Sequence, residues 1–202
     1  MSLQDTGQTQ LVPRNDVIKM ISRKFEMLPE ADRNVLMYGS LYLSANSALV
    51  GLIANSFCRR ALNVTQARYT SSLPMAVLPF LTTAALYNGA VSNRLLSGDL
   101  DCPMCAITRG ALVGLIGGGI YPFFLALPVN AGLATLYKSS PMPDRGNLRN
   151  LLNFTKNLAK PFANRVWALL VVQTLFGTYL SSKHVDLYHK MLRLPESEDL
   201  ED

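Results

Sequence analysis

The sequence predicts an all-α membrane protein, a bundle of about four transmembrane helices with an N-terminal amphipathic interfacial helix. The first observation is that four windows contain no Asp, Glu, Lys or Arg, at 34–58, 69–93, 110–137 and 166–182, so that they are 25, 25, 28 and 17 residues long. A helix rises about 1.5 Å per residue, and about 20 apolar residues cross the hydrocarbon core of a bilayer. The second observation is that charges gather at the window edges and in the tails, whereas a soluble core helix keeps a polar face.

Composition limits the class of function. The net charge is +5, and the basic residues lie in short loops beside apolar windows, which suits contact with the anionic headgroups of a lipid bilayer. We expect no nucleic-acid partner, because no basic stretch carries interleaved aromatic residues. Asp5 and Asp16, and the lack of an apolar run before residue 35, are atypical of a cleaved targeting peptide, so we expect any targeting signal to be internal.

The N-terminal region is predicted to hold a disordered tail followed by a helix. Residues 1–14 are polar, and a single membrane domain is predicted over 15–190. Asn15 or Asp16 can cap the helix, and its apolar residues fall on one face, as in a helix that lies in the membrane interface. That face consists of Val17, Ile18, Ile21 and Phe25. The alternative is a short helix packed on the protein's own loops.

Span one, at about 35–58, is rich in small and weakly polar residues. Small side chains let helices approach closely in lipid, and Ser or Asn side chains can hydrogen-bond between helices. We predict that Ser44, Ser47 and Gly51 form a helix-packing or partner-binding face. The candidates for buried polar groups, for which hydrogen bonding between helices is the favoured role, are Asn46, Asn55 and Asn88.

Spans two and three contain residues that distort helices. Span two, at about 70–93, holds Pro74 and Pro79, and span three, at about 109–136, holds two prolines in its second half. A proline removes a backbone donor and kinks a helix, which membrane bundles tolerate when neighbours satisfy the freed groups. Span three also carries glycines at four-residue spacing, which predicts a second close-packing or partner face. These glycines are Gly110, Gly114 and Gly118.

Span four, at about 163–182, is the weakest span because its charge-free window has only 17 residues. An even number of spans places both tails on one side of the membrane, including a predicted acidic tail at 191–202. Lys and Arg are divided almost evenly between the two sides, ten against nine. The count is nearly tied, and we place the loops at 59–68 and 138–165 on the matrix or cytosolic side.

Cys102 and Cys105 form a C-x-x-C motif in the loop between spans two and three. Such a pair can remain as loop thiols, close a short disulfide, act as a redox dithiol or supply half of a metal site. With an even number of spans, His184 and His189 lie on the same side, so a Cys2His2 zinc site is geometrically allowed. The long separation between the two pairs makes zinc the least favoured alternative, and we predict no metal and no other cofactor.

The sequence carries no recognisable catalytic motif. The glycines at 117–119 lack the Lys and Ser/Thr of a phosphate-binding loop and lie in an apolar span. The motifs of zinc proteases and serine hydrolases are absent, and the four windows contain no ionisable residue that would suit a proton relay or ion path. We therefore predict no catalytic residue and no enzymatic, pump, proton-coupled carrier or ion-channel activity.

Several segments resemble the transmembrane protein 126 family. The likeness covers about 15–182 in order and is greater to the A-type branch of that family than to the B-type. Its most specific piece is the Gly-Asp-Leu-Asp-Cys stretch at 98–102 together with Cys105. The other segments that carry the resemblance are 28–34, 51–56, 59–65, 78–83 and 121–130.

The resemblance implies a multi-pass protein of the mitochondrial inner membrane that assists the assembly of respiratory complex I. Its partners would be membrane-arm subunits and other assembly factors, and for the A-type branch the distal module that contains the mitochondrially encoded subunit four. In mechanism, the small-residue faces would cover the helices of a newly inserted subunit until handover. The alternative is that these faces hold only the protein's own bundle.

Two other functions remain open from the sequence. A small transporter or channel for a neutral solute is suggested by the prolines of span three and the polar residues of span one. A thiol-redox membrane protein is suggested by Cys102 and Cys105.

Overall fold

The computed structural model describes residues 21–97, 102–139 and 160–194. In these ranges all regular secondary structure is helical and no strand occurs, which confirms the all-α prediction for them. The long helices are α1 (Glu30–Ala61), α2 (Arg68–Leu95), α3 (Pro103–Leu136) and α4 (Ala163–Leu192), and a 3-10 turn at Lys160–Phe162 precedes α4.

Three of these helices are long and apolar enough to cross a membrane, namely α1, α2 and α3. The helix α4 has 30 residues but does not meet the same criterion in the part of the chain that the structure describes. The physical reason is that its charge-free stretch, 166–182, has only 17 residues between Arg165 and Lys183 and includes the polar Gln173. A crossing by α4 therefore stays a prediction.

The sequence explains where the helices begin and end. Pro29 precedes α1, whose first turn carries Glu30 and Asp32, and acidic side chains there favour the helix dipole. The last turn of α1 carries Arg59 and Arg60, which favour the opposite end of the dipole. A short loop then turns the chain back into α2, so that α1 and α2 run antiparallel.

Both α2 and α3 contain a π-helical segment, at Asn88–Ser92 and Val113–Ile120. A π segment changes the hydrogen-bond step and so shifts the register of the side chains that follow. The prolines that the sequence analysis singled out do not end either helix: α2 continues through Pro74 and Pro79, and α3 continues through Pro128.

Helix α1 contacts the other three long helices, and so does α3. The first half of α3 packs on α4, and its second half packs on α1 and α2. Two apolar clusters fill the space between the helices. One contains Leu43, Tyr87, Val91, Val113 and Leu180, and the other contains Ala54, Cys58, Met75 and Ala126.

The chain ahead of α1 is helical at 21–26. Of the predicted interfacial face, Val17 and Ile18 lie outside the described residues, and Ile21 and Phe25 are half-buried. The Lys24 ammonium donates a hydrogen bond to the carbonyl of Leu192, at 3.3 Å, so this segment contacts the end of α4. The predicted tail at 1–14 and the acidic residues from 196 onward lie outside the described residues.

Candidate functional site

The predicted glycine face of α3 lies against α4 of the same chain. A Cβ atom added at Gly110 would lie 1.7 Å from Ser181 Oγ, and one at Gly114 would lie 2.4 Å from the carbonyl oxygen of Gln173. Gly177 on α4 is the reciprocal residue, because a Cβ there would lie 2.4 Å from the carbonyl oxygen of Gly110. The two backbones therefore touch, and no larger side chain fits between them.

In the π segment of α3, Gly118 faces α4, as Gly110 and Gly114 do, whereas Gly117 faces α2. An added Cβ at Gly118 would lie 3.4 Å from the side-chain Cδ of Gln173, which is an ordinary contact distance. The preceding residue, Gly117, faces α2 instead, where its Cβ would lie 3.1 Å from Leu86 Cδ1. Half of the residues in this π segment are glycines, so the segment packs closely on both α2 and α4.

The predicted face of α1 is also buried inside the molecule. A Cβ added at Gly51 would lie 2.0 Å from the carbonyl oxygen of Met75, so α1 and α2 are in backbone contact there. Ser47 Oγ donates a hydrogen bond to the Pro79 carbonyl oxygen at 3.3 Å and accepts one from Thr83 Oγ1 at 2.9 Å. Ser44 on the same face donates to the carbonyl of Ser40 at 2.6 Å. Both small-residue faces thus pack against the chain's own helices.

An asparagine pair joins α1, α2 and α3 near the C-terminal end of α1. Asn130 Nδ2 donates to Asn55 Oδ1 at 2.8 Å, and Asn55 Nδ2 donates to Ser72 Oγ at 3.1 Å. Asn55 was one of the predicted polar candidates and takes the role in hydrogen bonding between helices. Sequence reasoning missed Asn130, although it stands inside the third charge-free window. Asn46 and Asn88 are half-buried.

A second polar group surrounds the buried His184 on α4. Its Nε2 lies 3.1 Å from the Val35 carbonyl oxygen, which can only accept, so Nε2 carries the proton. The other ring nitrogen, Nδ1, then accepts from the Tyr87 hydroxyl at 3.2 Å, and Tyr87 in turn lies 3.1 Å from Ser181 Oγ. Both nitrogens are occupied by protein groups, which removes His184 as a zinc ligand in this arrangement. No cluster of metal-ligating residues occurs in the described ranges.

The groove between the first half of α1 and the second half of α4 has a volume of about 440 Å³. Its floor is closed at Gly39, where an added Cβ would lie 2.8 Å from Leu180 Cδ1. Tyr42 and Tyr179 stand exposed along its walls. Charged residues occupy one end, where Lys190 pairs with Asp32. Its other lining residues are Asn34, Val35, Phe176, Lys183, Asp186 and Leu187. This α1–α4 groove can accept an apolar segment.

Cys102 and Cys105 stand at the start of α3 as exposed free thiols. Cys102 is the N-cap residue, and its sulfur accepts a hydrogen bond from the backbone N–H of Cys105 at 3.3 Å. Hydrogen bonds from the Cys105 side chain and backbone lower the pKa of the Cys102 thiol. The third cysteine, Cys58, is buried in α1.

Comparison with known proteins gives one family. The sequence profile of the family described as transmembrane protein 126 matches residues 15–198. Transmembrane protein 126A of Mus musculus is 53% identical over 92% of this chain and 92% of its own length, and that of Homo sapiens is 50% identical over 90% and 92%. The human protein named complex I assembly factor TMEM126B, mitochondrial, is 28% identical over 87% of this chain and 74% of its own length. No solved structure matches the chain.

Proposed function

This chain belongs to the transmembrane protein 126 family, and from that membership we propose that it is a multi-pass protein of the mitochondrial inner membrane that assists the assembly of respiratory complex I. The observation that carries the proposal is that relatives named as complex I assembly factors align with it over most of its length. The partners are membrane-arm subunits of the complex, in its distal module, together with other assembly factors.

The protein acts by binding rather than by catalysis. Members of its family are named as transmembrane proteins and assembly factors, and the buried asparagine pair and His184 bond to neighbouring side chains and to the backbone. Helices associate in lipid by van der Waals packing and hydrogen bonds of about 1 kcal/mol each. Contacts of that strength hold a subunit and still allow its release to the growing complex.

The fourth helix crosses the membrane beside the third. Residues from Gln173 to Ser181 of α4 touch the backbone of α3 between Gly110 and Gly114, and α3 is itself long and apolar enough to cross. A helix in backbone contact with a spanning helix lies at the same depth in the bilayer. The polar end of α4, from Lys183 onward, then emerges on the side of the Cys102 loop.

The surface that holds a client helix is the α1–α4 groove. The small-residue faces are already covered by the chain's own helices, so they offer nothing to a partner. The groove instead presents two exposed tyrosines, Tyr42 and Tyr179, above an apolar floor. A transmembrane helix of a newly made subunit fills such a groove by packing, and the charged end at Asp32 and Lys183 favours polar residues at the end of that helix.

The test is to remove the protein from cells, pulse-label the products of mitochondrial translation and separate the respiratory complexes on native gels. We expect membrane-arm intermediates of complex I to accumulate while the other respiratory complexes assemble normally. Re-expression of the unaltered chain should restore assembly, which shows that the defect is specific. Complex I formation at a normal rate in the deleted cells would contradict the proposal.

A further inference from the structure

One end of the molecule is strongly basic. The α1–α2 loop and the α3–α4 connection meet there, because Ser139 Oγ donates to the Leu62 carbonyl at 3.3 Å and the rings of Phe57 and Phe162 stack at 4.8 Å. The described residues of these two segments, at 59–68, 138–139 and 160–165, contain no Asp or Glu. Their basic residues are Arg59, Arg60, Arg68, Lys138, Lys160 and Arg165.

Three of these arginines line one pocket between the end of α1 and the start of α2. Its volume is about 510 Å³, and neither Asp nor Glu is among its lining residues. Arg60 and Arg68 are exposed, and neither makes a side-chain hydrogen bond to a carboxylate of the described residues. The polar residues that complete the lining are Asn55, Ser56, Asn63, Thr65 and Ser72.

Arg59 is held rigidly at the inner wall of this arginine pocket. Only 8% of the residue is exposed. Its Nη2 donates to the Gln66 carbonyl at 2.7 Å, and its Nη1 donates to Ser71 Oγ at 3.0 Å and the Ala67 carbonyl at 3.5 Å. All these acceptors are neutral, and a guanidinium carries five N–H donors. A buried positive charge therefore faces the pocket without a carboxylate from the described ranges to compensate it.

The pocket lies at the level of the lipid headgroups if α1 and α2 cross the bilayer, as their length and composition allow. Exposed aromatic side chains also stand near the starts of α2 and α4. Tyr69, in the first turn of α2, is 87% exposed, and Trp167, near the start of α4, is 66% exposed. Exposed Tyr and Trp at helix ends are typical of the membrane–water interface.

From these observations we infer that the arginine pocket binds the phosphate of an anionic phospholipid. Arg60 and Arg68 hold the headgroup phosphate by charge and paired N–H donors, while Arg59 gives the inner wall a fixed positive potential. The lipid tails then lie along the exposed apolar residues of α2, such as Leu73. This inference rests on the membrane-spanning part of the proposed function and is independent of complex I.

The test measures thermal unfolding of the full-length protein in a zwitterionic detergent during titration with dioctanoyl-phosphatidylglycerol. We expect a saturable rise in the unfolding temperature, and no such rise with dioctanoyl-phosphatidylcholine. The variant R60Q/R68Q should bind the anionic lipid about thirtyfold more weakly, because each arginine near an anionic surface contributes roughly fivefold. Its unfolding temperature without lipid should stay close to that of the unaltered chain, since both side chains are exposed.

The matched control is R94Q/R193Q, which removes the same charge from exposed residues at the opposite end of the bundle. It should bind the lipid as the unaltered chain does. Equal weakening by the two double variants would overturn the inference, because it would mean that net charge alone decides binding. Equal stabilisation by phosphatidylcholine would overturn it as well. If sn-glycerol 3-phosphate stabilises the protein at the same concentrations, the ligand is a soluble phosphate ester rather than a lipid.

Discussion

At the scale of single residues, His184 couples the stability of the bundle to pH. Burial lowers its pKa below the usual 6.5, because removing the ring from water penalises its charged form. Because the pKa of this ring is higher in the unfolded chain than in the folded protein, the unfolded chain binds more protons as the pH falls below about 6.5. Stability from this group is therefore complete above about pH 6.5 and is lost as the pH falls. We predict that the unfolding temperature of the purified protein drops as the pH is lowered through this range.

The variant His184→Gln isolates this effect. It removes the titrating ring, so it should flatten the pH dependence even if it lowers the stability at neutral pH. His189→Gln is the control, since His189 is exposed on the same helix, and it should leave the pH dependence unchanged. An unflattened profile in His184→Gln would show that other groups cause the acid sensitivity.

The thiol of Cys102 is the second residue with a testable chemical property. Hydrogen bonds from Cys105 lower the pKa of Cys102, and the thiolate is the form that reacts with alkylating agents. We predict that N-ethylmaleimide modifies Cys102 well before Cys58 when the folded protein is treated at about pH 7.5 and analysed by mass spectrometry. Cys58 should react only after denaturation, because it is buried. Protection of Cys102 until a reductant is added would instead reveal a disulfide with Cys105.

At the scale of helices, the contact between α3 and α4 depends on the absence of side chains. An added Cβ at Gly114 would meet the backbone of Gln173 and Gly177, which cannot rotate away as a flexible side chain can. We predict that Gly114→Leu destabilises the protein by roughly 1–3 kcal/mol or prevents α3 and α4 from packing. The measurement is the unfolding temperature in detergent, followed by the amount of monodisperse protein on size-exclusion chromatography.

Gly132 supplies a control on the same helix. A Cβ added there would meet nothing within 4 Å, so Gly132→Leu should fold like the unaltered chain. Similar losses in both variants would mean that a large residue in α3 is harmful wherever it stands. Since Gly114 lies between the chain's own helices, its substitution should reduce folding and client binding together rather than client binding alone.

The glycines also show how far helix-level reasoning from sequence reaches. Spacing of four residues predicts that Gly110 and Gly114 share one face, because a regular helix places such residues together, and in the structure both lie against α4. It did not indicate that Gly117 faces α2, since the π segment shifts the register and has no periodic signature. The sequence also did not show that Gln173 of α4 packs against Gly114 of α3, because a single sequence does not show which helices become neighbours.

The α1–α4 groove is the proposed binding surface for a client helix, and its two exposed tyrosines allow that proposal to be tested. Truncating both tyrosines, in Tyr42→Ala/Tyr179→Ala, should lower the co-purification of newly translated membrane-arm subunits several-fold, because the walls of the groove are lost while the buried contacts remain. The control is Tyr69→Ala, which truncates an exposed tyrosine at the other end of the bundle. Unchanged co-purification in the double variant would exclude the groove as the client surface.

At the scale of the whole molecule, the charge-free windows of the sequence lie almost entirely in the long helices, but they do not reveal the sites between those helices. Charge-free windows follow from the cost of placing ions in hydrocarbon, so the sequence alone reveals them. The arginine pocket and the α1–α4 groove arise from tertiary packing. Val35 and His184, for example, are separated by 149 positions and lie in hydrogen-bond contact, a relation that no local pattern carries.

The orientation of the whole bundle gives the last prediction. In the sequence, the loops at 59–68 and 138–165 carry nine basic residues and one acid, and we place them on the matrix side, where basic loops are favoured. If α4 crosses, Cys102 and position 193 lie on the opposite side from Asn63. The experiment uses three variants with a single cysteine each, at Cys102, at Arg193→Cys and at Asn63→Cys. In mitoplasts, an impermeant maleimide should therefore label the first two. It should label the Asn63→Cys variant only after detergent is added. If α4 instead remained on one side, Arg193→Cys would behave like Asn63→Cys, because three crossings put the end of the chain with the α1–α2 loop. The first result is favoured because α4 reaches the middle of α3, where a Cβ added at Gly119 would lie 2.6 Å from Leu170 Cδ2, and α4 cannot touch the middle of a spanning helix from the membrane surface.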